Sequence, residues 1–290
     1  MLLVPTCFAV GFVATCYVVS VCAEREHRLW PRNDNAFGHG TSEFQRRIRR
    51  WSEPVEIYSS RKYEGHEPSR EGRVAVGTII FVNAAVFALW KLKRPALVRA
   101  VLEKYFLCGV QPSRMAGCIG MVASVFSHEH VAHVFFNMCA LNSFAALALD
   151  AFFGKEQFWG FYLSAGCVAS LAGLAVKAVR RSALPSLGAS GAIYALLMYV
   201  CMKMPDAQLH VAFLPFLPSI TGEQAVMYLI GFDLLGVLLG WRLFDHACHL
   251  GGSVFGIWYA WYGQKLLWGD MQMPSRLRRR VMRWCSRQRK

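Results

Sequence analysis

Charged side chains are scarce in this sequence. They make up 17% of its 290 residues, whereas hydrophobic side chains make up 55%. Soluble globular proteins carry about 25% charged and about 45–50% apolar residues. The shortage of charge therefore excludes an ordinary soluble domain, and the apolar content excludes a disordered chain. Because the apolar residues fall in blocks of the roughly 20 residues that a spanning helix needs, the sequence predicts a polytopic membrane protein.

Cysteine pairs at metal-binding spacing are missing as well. None of the ten cysteines belongs to a CxxC pair, and most of them lie inside apolar runs. Cysteines in that setting are usually small buried apolar residues. We therefore predict neither a disulfide framework nor a cysteine-bound metal, and no cofactor.

The net charge of +14 does not indicate nucleic-acid binding. The basic residues cluster in 24–73, in 91–114 and in the C-terminal tail, and apolar runs separate these clusters. A nucleic-acid surface would interleave them with aromatic residues for base stacking. Clusters beside membrane spans instead favour contact with anionic lipid headgroups.

The apolar runs predict one isolated helix, a polar gap, and then six closely spaced helices. The predicted spans are 2–22, 74–92, 131–151, 157–178, 187–204, 224–241 and 246–266. The first run is interpreted as a true span rather than a signal peptide, because no positively charged residue precedes it.

We therefore expect an all-α polytopic membrane protein in four parts. These are an N-terminal transmembrane helix at 1–23, a polar linker at 24–73, a six-helix domain at 74–266 and a basic tail at 267–290. Within the six-helix domain, residues 95–130 are too long for a turn and too broken to span. Their amphipathic stretch at 96–107 predicts a segment that lies in the membrane interface.

Polar residues occur at the starts of three predicted spans. His133 and Asn137 begin one span, Ser190 begins another, and His246 and His249 begin the last. Polar groups inside spans are costly and usually functional. The loops that precede these spans share one side of the membrane, so the three groups can converge at similar depth.

The residue types in these groups suit nucleophilic catalysis. A serine hydroxyl needs an adjacent base, and histidine is the usual one. Small residues at 188, 191, 252 and 256 favour close helix packing, which brings either His246 or His249 to Ser190. His133 and Asn137 are four residues apart on one helix face, which is suitable for two oxyanion donors. The alternative interpretation is ordinary helix packing.

Metal binding is a second alternative for the same region. The candidate ligands are His128, His130, His133, His246 and His249. However, His128-Glu129 does not extend to an HExxH motif, because position 132 is alanine. A metal site would also leave Ser190 unexplained.

Taken together, the motifs resemble the rhomboid family of intramembrane serine proteases over about 74–266. The motifs that carry the resemblance are His128, His133 with Asn137, Gly188-Ala189-Ser190-Gly191 with Tyr194, and His249 followed by Gly252. The segments Gln157-Phe158, 162–166, 185–193, Phe213-Leu214-Pro215 and 240–259 resemble the presenilin-associated rhomboid-like subgroup of the mitochondrial inner membrane. That subgroup has an extra helix before the six, a 1+6 arrangement that fits residues 2–22.

The resemblance implies a role for each site residue. Ser190 is expected to be the nucleophile and His249 the general base, as a dyad without a carboxylate. The choice of His249 over His246 rests on the His-Leu-Gly-Gly match at 249–252. Asp233, alone in the middle of a predicted span, receives no role from the family.

Supporting roles follow from the same resemblance. His133, Asn137 and the Ser190 backbone N–H are expected to form the oxyanion hole, and Tyr194 to support His249. The expected small-residue positions are Gly188, Gly191 and Gly252.

The implied activity is hydrolysis of peptide bonds in or near the transmembrane helices of single-pass membrane proteins. The expected location is the mitochondrial inner membrane, with lipids as the other partners. Two further functions remain open: a catalytically silent rhomboid-like protein that binds membrane clients, and a metal or solute transporter that uses the histidines. The sequence does not indicate the oligomeric state.

Overall fold

The computed structural model describes residues 2–29, 70–92, 96–109, 113–209 and 218–268. Most of the predicted linker and nearly all of the basic tail lie outside these ranges, as does Phe213-Leu214-Pro215. Described helices are α1 (Leu3–Leu29), α2 (Arg70–Lys91), α3 (Ala96–Tyr105), α4 (Arg114–Ala123), α5 (Val131–Ala151), α6 (Lys155–Val179), α7 (Ser190–Lys203), α8 (Gly222–Leu239), α9 (His246–Trp258) and α10 (Gln264–Trp268). A 3₁₀ turn (Ser124–Phe126) follows α4, and a π-helical turn (Tyr259–Gly263) joins α9 to α10.

Five of the described helices, α1, α2, α5, α6 and α8, are long and apolar enough to cross a membrane. The prediction of an all-α polytopic membrane protein is confirmed. One small antiparallel pair, β1 (Gln208–Leu209) and β2 (Ile220–Thr221), was not anticipated. Residues 95–130 contain two short helices, α3 and α4, and α3 covers most of the amphipathic stretch at 96–107. The first helix continues to Leu29, past the predicted end of its span.

Helix α6 lies at the centre of the bundle. It packs against α1 on one side and against α7 and α9 on the other. The core beside it is aromatic: the Phe161 ring centroid lies 4.8 Å from that of Tyr259 and 5.5 Å from that of Phe255. Buried rings of this kind supply much of the packing area in a core, and they fix α9 against α6.

Helices α7 and α9 touch through their backbones. A Cβ atom added at Gly252 would lie 2.1 Å from the carbonyl oxygen of Gly191, and one added at Gly256 would lie 2.2 Å from that of Ala195. Only glycine, which has no Cβ atom, lets the α7 and α9 backbones come this close. Small residues allow close packing of membrane helix pairs in the same way. The first residues of α7 and of α9 are therefore held at a fixed distance from each other.

This contact predicts that Gly256→Ala destabilises the protein. The added methyl group meets backbone rather than a flexible side chain, and overpacking of this kind costs about 1–3 kcal/mol. Gly231→Ala on α8 is the matched control, because a Cβ there meets nothing within 4 Å. Thermal unfolding in detergent, followed by circular dichroism, should show a lower Tm for Gly256→Ala only. Equal Tm values for the two variants would contradict the packing account.

Candidate active site

Ser190 and His249 face each other across the contact between α7 and α9. The Ser190 hydroxyl lies 3.0 Å from Nε2 of His249, which is hydrogen-bonding distance. The ring of Tyr194, one turn along α7 from Ser190, stacks on the His249 ring with centroids 4.1 Å apart and planes 10° apart. His249 is only 5% exposed, whereas Ser190 is partly exposed. A serine–histidine pair is thus assembled with its imidazole fixed by a stacked ring.

The backbone before Ser190 is shaped by Gly188. Its φ of +127° belongs to the region that L side chains rarely adopt. A Cβ at this position would also lie 2.7 Å from the His133 ring. The turn into α7 therefore requires glycine for both conformation and space.

Two polar side chains of α5 lie beside this turn. The His133 ring and the Asn137 amide nitrogen are the nearest groups to a Cβ built on Gly188. The structure thus brings His133 and Asn137 together with the segment that leads into Ser190.

His128 contacts both Asn137 and the backbone just before Ser190. Its Nε2 lies 2.8 Å from the Asn137 amide nitrogen and 3.4 Å from the backbone nitrogen of Ala189. Both of those nitrogens carry N–H groups, so Nε2 accepts and His128 is neutral. Burial, followed by the nearby His133, lowers the pKa of His128 to about 3, which is consistent with a neutral ring. His128 therefore fixes the amide of Asn137 relative to the Ser190 loop.

Asp233 is the main site residue whose contacts the sequence did not indicate. It comes from α8, is fully buried, and its Oδ1 lies 3.2 Å from Nδ1 of His249. The same oxygen lies 2.6 Å from Nδ1 of His246. The sequence signal was a lone acid inside a span. Its partners lie on another helix, 13 and 16 residues further along the chain, so spacing alone did not identify them.

The Asp233 contact determines which nitrogen of His249 accepts. A carboxylate oxygen only accepts hydrogen bonds, so Nδ1 of His249 carries the proton. Nε2 is then unprotonated and accepts from the Ser190 hydroxyl. The expected dyad had no carboxylate, whereas in the structure a buried carboxylate stands behind the imidazole on the side away from Ser190.

Four of the five histidines considered as metal ligands are divided between two places. His128 and His133 pack edge to face beside the segment that leads into α7, with ring centroids 4.8 Å apart. His246 and His249 share Asp233, and these three side chains offer ligand atoms within 4.8 Å of one another. Hydrogen bonds to one carboxylate oxygen account for this second group without an ion.

One lysine links the segments that lead into α7 and α9. Lys177 Nζ donates to the Ser186 hydroxyl at 2.5 Å and to Asp245 Oδ2 at 2.7 Å. Ser186 and Asp245 each lie four residues before a member of the pair, Ser190 and His249 respectively. Asp245 also caps α9, since its Oδ1 accepts from the Cys248 backbone N–H at 3.0 Å.

The charge of Lys177 is compensated within this link. Burial alone would raise the pKa of the Asp245 carboxyl, but the Lys177 ammonium and the hydrogen bonds to the carboxylate outweigh burial and hold that pKa below its usual value. The pair is mostly buried, with 13% of the Lys177 side chain and 21% of the Asp245 side chain exposed. Sequence reasoning missed this link, because its members come from three separate segments.

Comparison of the sequence with known proteins points to one family. The rhomboid domain family matches residues 116–265. Presenilin-associated rhomboid-like protein, mitochondrial, of Mus musculus is 41% identical over 202 residues, which are 70% of this chain and 52% of that protein. The protein of the same name in Homo sapiens is 40% identical over the same shares of both chains.

A more distant relative gives the same picture. Rhomboid protein 1, mitochondrial, of Saccharomyces cerevisiae is 35% identical over 206 residues, which are 70% of this chain and 56% of that protein. This chain therefore spans about half the length of the curated relatives it matches. The resemblance inferred from the motifs is confirmed: the chain belongs to the rhomboid family.

Proposed function

We propose that this protein is an intramembrane serine protease in which Ser190 is the nucleophile, His249 the general base and Asp233 the group that orients the base. Membership of the rhomboid family supports an intramembrane protease function in general. The observation that carries the finer assignment is the row of contacts from the Asp233 carboxylate to Nδ1 of His249 and from Nε2 to the Ser190 hydroxyl. The same row activates serine in hydrolases of unrelated folds.

The proposed reaction begins when Ser190 Oγ attacks the carbonyl carbon of the substrate peptide bond. The hydroxyl proton passes to Nε2 of His249, and Asp233 stabilises the imidazolium that forms. His249 then gives this proton to the nitrogen of the departing peptide as the C–N bond breaks. Water next attacks the acyl group on Ser190, while His249 accepts a proton from the water and returns it to Ser190 Oγ.

The negative charge that develops on the substrate oxygen needs fixed donors. We assign this role to His133, Asn137 and the Ser190 backbone N–H. Asn137 has two amide protons; one is directed at His128 and leaves the other for the substrate oxygen. Gly188 keeps the space beside these donors open, as its built Cβ contacts indicate.

The substrates that suit this site are membrane proteins with a single spanning helix. The backbone of an intact helix is hydrogen-bonded internally, so a short segment must unwind before its carbonyl group can reach Ser190. Lipids surround the bundle as its other partners. The apolar helices and the mitochondrial relatives identify a multi-pass mitochondrial membrane protein; the inner membrane stays a prediction.

The first test is covalent labelling with a fluorophosphonate probe in detergent, mapped by mass spectrometry. Because the probe reacts with activated serines, we expect label on Ser190 in the native chain, and none in Ser190→Ala or His249→Ala. Ser143→Ala is the matched control, since that hydroxyl bonds only to the Cys139 carbonyl in the described structure. An unlabelled but folded native chain would favour the silent client-binding alternative.

The second test concerns Asp233. Asp233→Asn replaces the acceptor with an amide that can also donate, so His249 can adopt the wrong tautomer. We expect the maximal rate of inactivation by the probe to fall about 10²- to 10⁴-fold, while the half-saturating probe concentration changes little. Asp206→Asn, at an exposed turn, should react like the native chain. A native rate in folded Asp233→Asn would remove the carboxylate from the mechanism.

The third test concerns the Lys177 link. Lys177→Met leaves Asp245 without its cation, so the segments before Ser190 and His249 lose their common anchor. We expect about a tenfold slower inactivation by the probe, as for the loss of a group that orients a site residue. Arg99→Met removes an exposed ion pair, which contributes little, and should have no effect. Unchanged rates in Lys177→Met would refute the link.

The pair of Lys177 and Asp245 also predicts a pH dependence of stability. Its stabilising effect should be present at neutral pH and should disappear as the pH falls through the lowered pKa of Asp245.

A further inference from the structure

His246 is a buried histidine next to the site that the proposed reaction does not use. Only 3% of it is exposed, and its Nδ1 lies 2.6 Å from Asp233 Oδ1. This is the oxygen that also lies 3.2 Å from Nδ1 of His249. One carboxylate oxygen therefore serves two imidazoles, and the shorter contact belongs to the ring that does not touch Ser190.

The ring of His246 is held in one position. A Cβ added at Gly236 on α8 would lie 2.4 Å from it. The rings of Phe232, Trp241 and Phe244 surround it edge-on, with centroids 5.3–5.9 Å away. Its Nε2 is buried and has no hydrogen-bond partner among the described residues. Among the described residues, the hydrogen-bond partner of the His246 ring is Asp233.

Asp233 needs more than one donor. It is fully buried, and its Oδ2 has no hydrogen-bond partner among the described residues. A buried ionised carboxylate is costly unless hydrogen bonds satisfy it. The single 3.2 Å contact from His249 is long for a charge-assisted bond, for which about 2.7–2.9 Å is usual. The 2.6 Å contact from His246 supplies the missing donor.

We propose that His246 is a positioning residue of the reaction, which acts through Asp233 by donating from Nδ1. This inference rests on the function proposed above. The Nδ1–H of His246 fixes the plane of the Asp233 carboxyl group, so that Oδ1 faces His249 as an acceptor. His249 therefore keeps its proton on Nδ1 and its Nε2 free for Ser190.

Two substitutions at position 246 separate the donor from the ring. His246→Asn places an amide N–H where Nδ1 was, whereas His246→Phe keeps an aromatic ring and removes the donor. We expect the maximal rate of fluorophosphonate inactivation to stay within about threefold for His246→Asn and to fall about 10- to 100-fold for His246→Phe. The half-saturating probe concentration and the Tm should change little in both.

A second perturbation reaches His246 from α8. The methyl group of Gly236→Ala meets the imidazole ring and must displace it from Asp233. We expect about a tenfold lower maximal inactivation rate. Gly231→Ala lies on the same helix in open space, so it should react at the native rate.

The outcomes are distinct. A native rate in folded His246→Phe overturns the proposal. Equal losses in His246→Asn and His246→Phe overturn it as well, because the donor that His246→Asn retains would then not preserve the rate. Failure of the proposed function would show differently, as a native chain that carries no label on Ser190.

A measurement on the native chain decides the matter if a variant does not fold or the native chain is unlabelled. Ring ¹⁵N spectra of histidine-labelled protein should show His246 and His249 both protonated at Nδ1. A His246 ring protonated only at Nε2 would overturn the proposal.

Discussion

The backbone contact between α7 and α9 is the constraint on which the rest of the site depends. Gly252 lies against the Gly191 carbonyl, and Gly256 lies against that of Ala195. In a membrane, helix association depends on packing and hydrogen bonds rather than on the exclusion of water. Close glycine contacts therefore fix the distance between these helices, and with it the distance between Ser190 and His249. Tyr194, one turn along α7, fixes the plane of the histidine ring.

A buried carboxylate is the second element of the design. Asp233 lies inside α8 with no exposed surface, where an ionised group is stable only with donors around it. Two imidazole N–H groups provide them. Few positions inside membrane spans carry an ionisable side chain, because its burial is costly, and such positions are usually functional. The Lys177–Asp245 pair follows the same principle just before the first residue of α9, where it connects the two segments that lead into α7 and α9.

The short helices also have a functional consequence. Helices α7 and α9 begin at Ser190 and His246, beside the polar side chains of the site rather than after a further apolar turn. Their first backbone N–H groups lack partners within the helix. In the proposed reaction, the first N–H group of α7, that of Ser190, can donate to the developing oxyanion. The start of α7 at Ser190 therefore shortens the helix and also supports the reaction.

The sequence by itself determined the membrane class, the apolar segments and most of the candidate residues of the site. These follow from local properties: run length, helical spacing and glycine next to serine are all readable within one segment. Ser190, Tyr194 and His249 were identified in this way together with the family resemblance. Their contacts with one another then required the folded chain.

Only the tertiary structure decided which groups pair across helices. It placed Nε2 of His249 at Ser190 and directed His246 at Asp233. It also placed His128 in hydrogen-bonding contact with Asn137, and Lys177 in contact with both Ser186 and Asp245. These pairings connect residues from separate helices whose relative rotation depends on packing of the whole bundle. No periodicity within a single helix encodes that rotation, which is why a lone acid in a span could be recognised from the sequence but its partners could not.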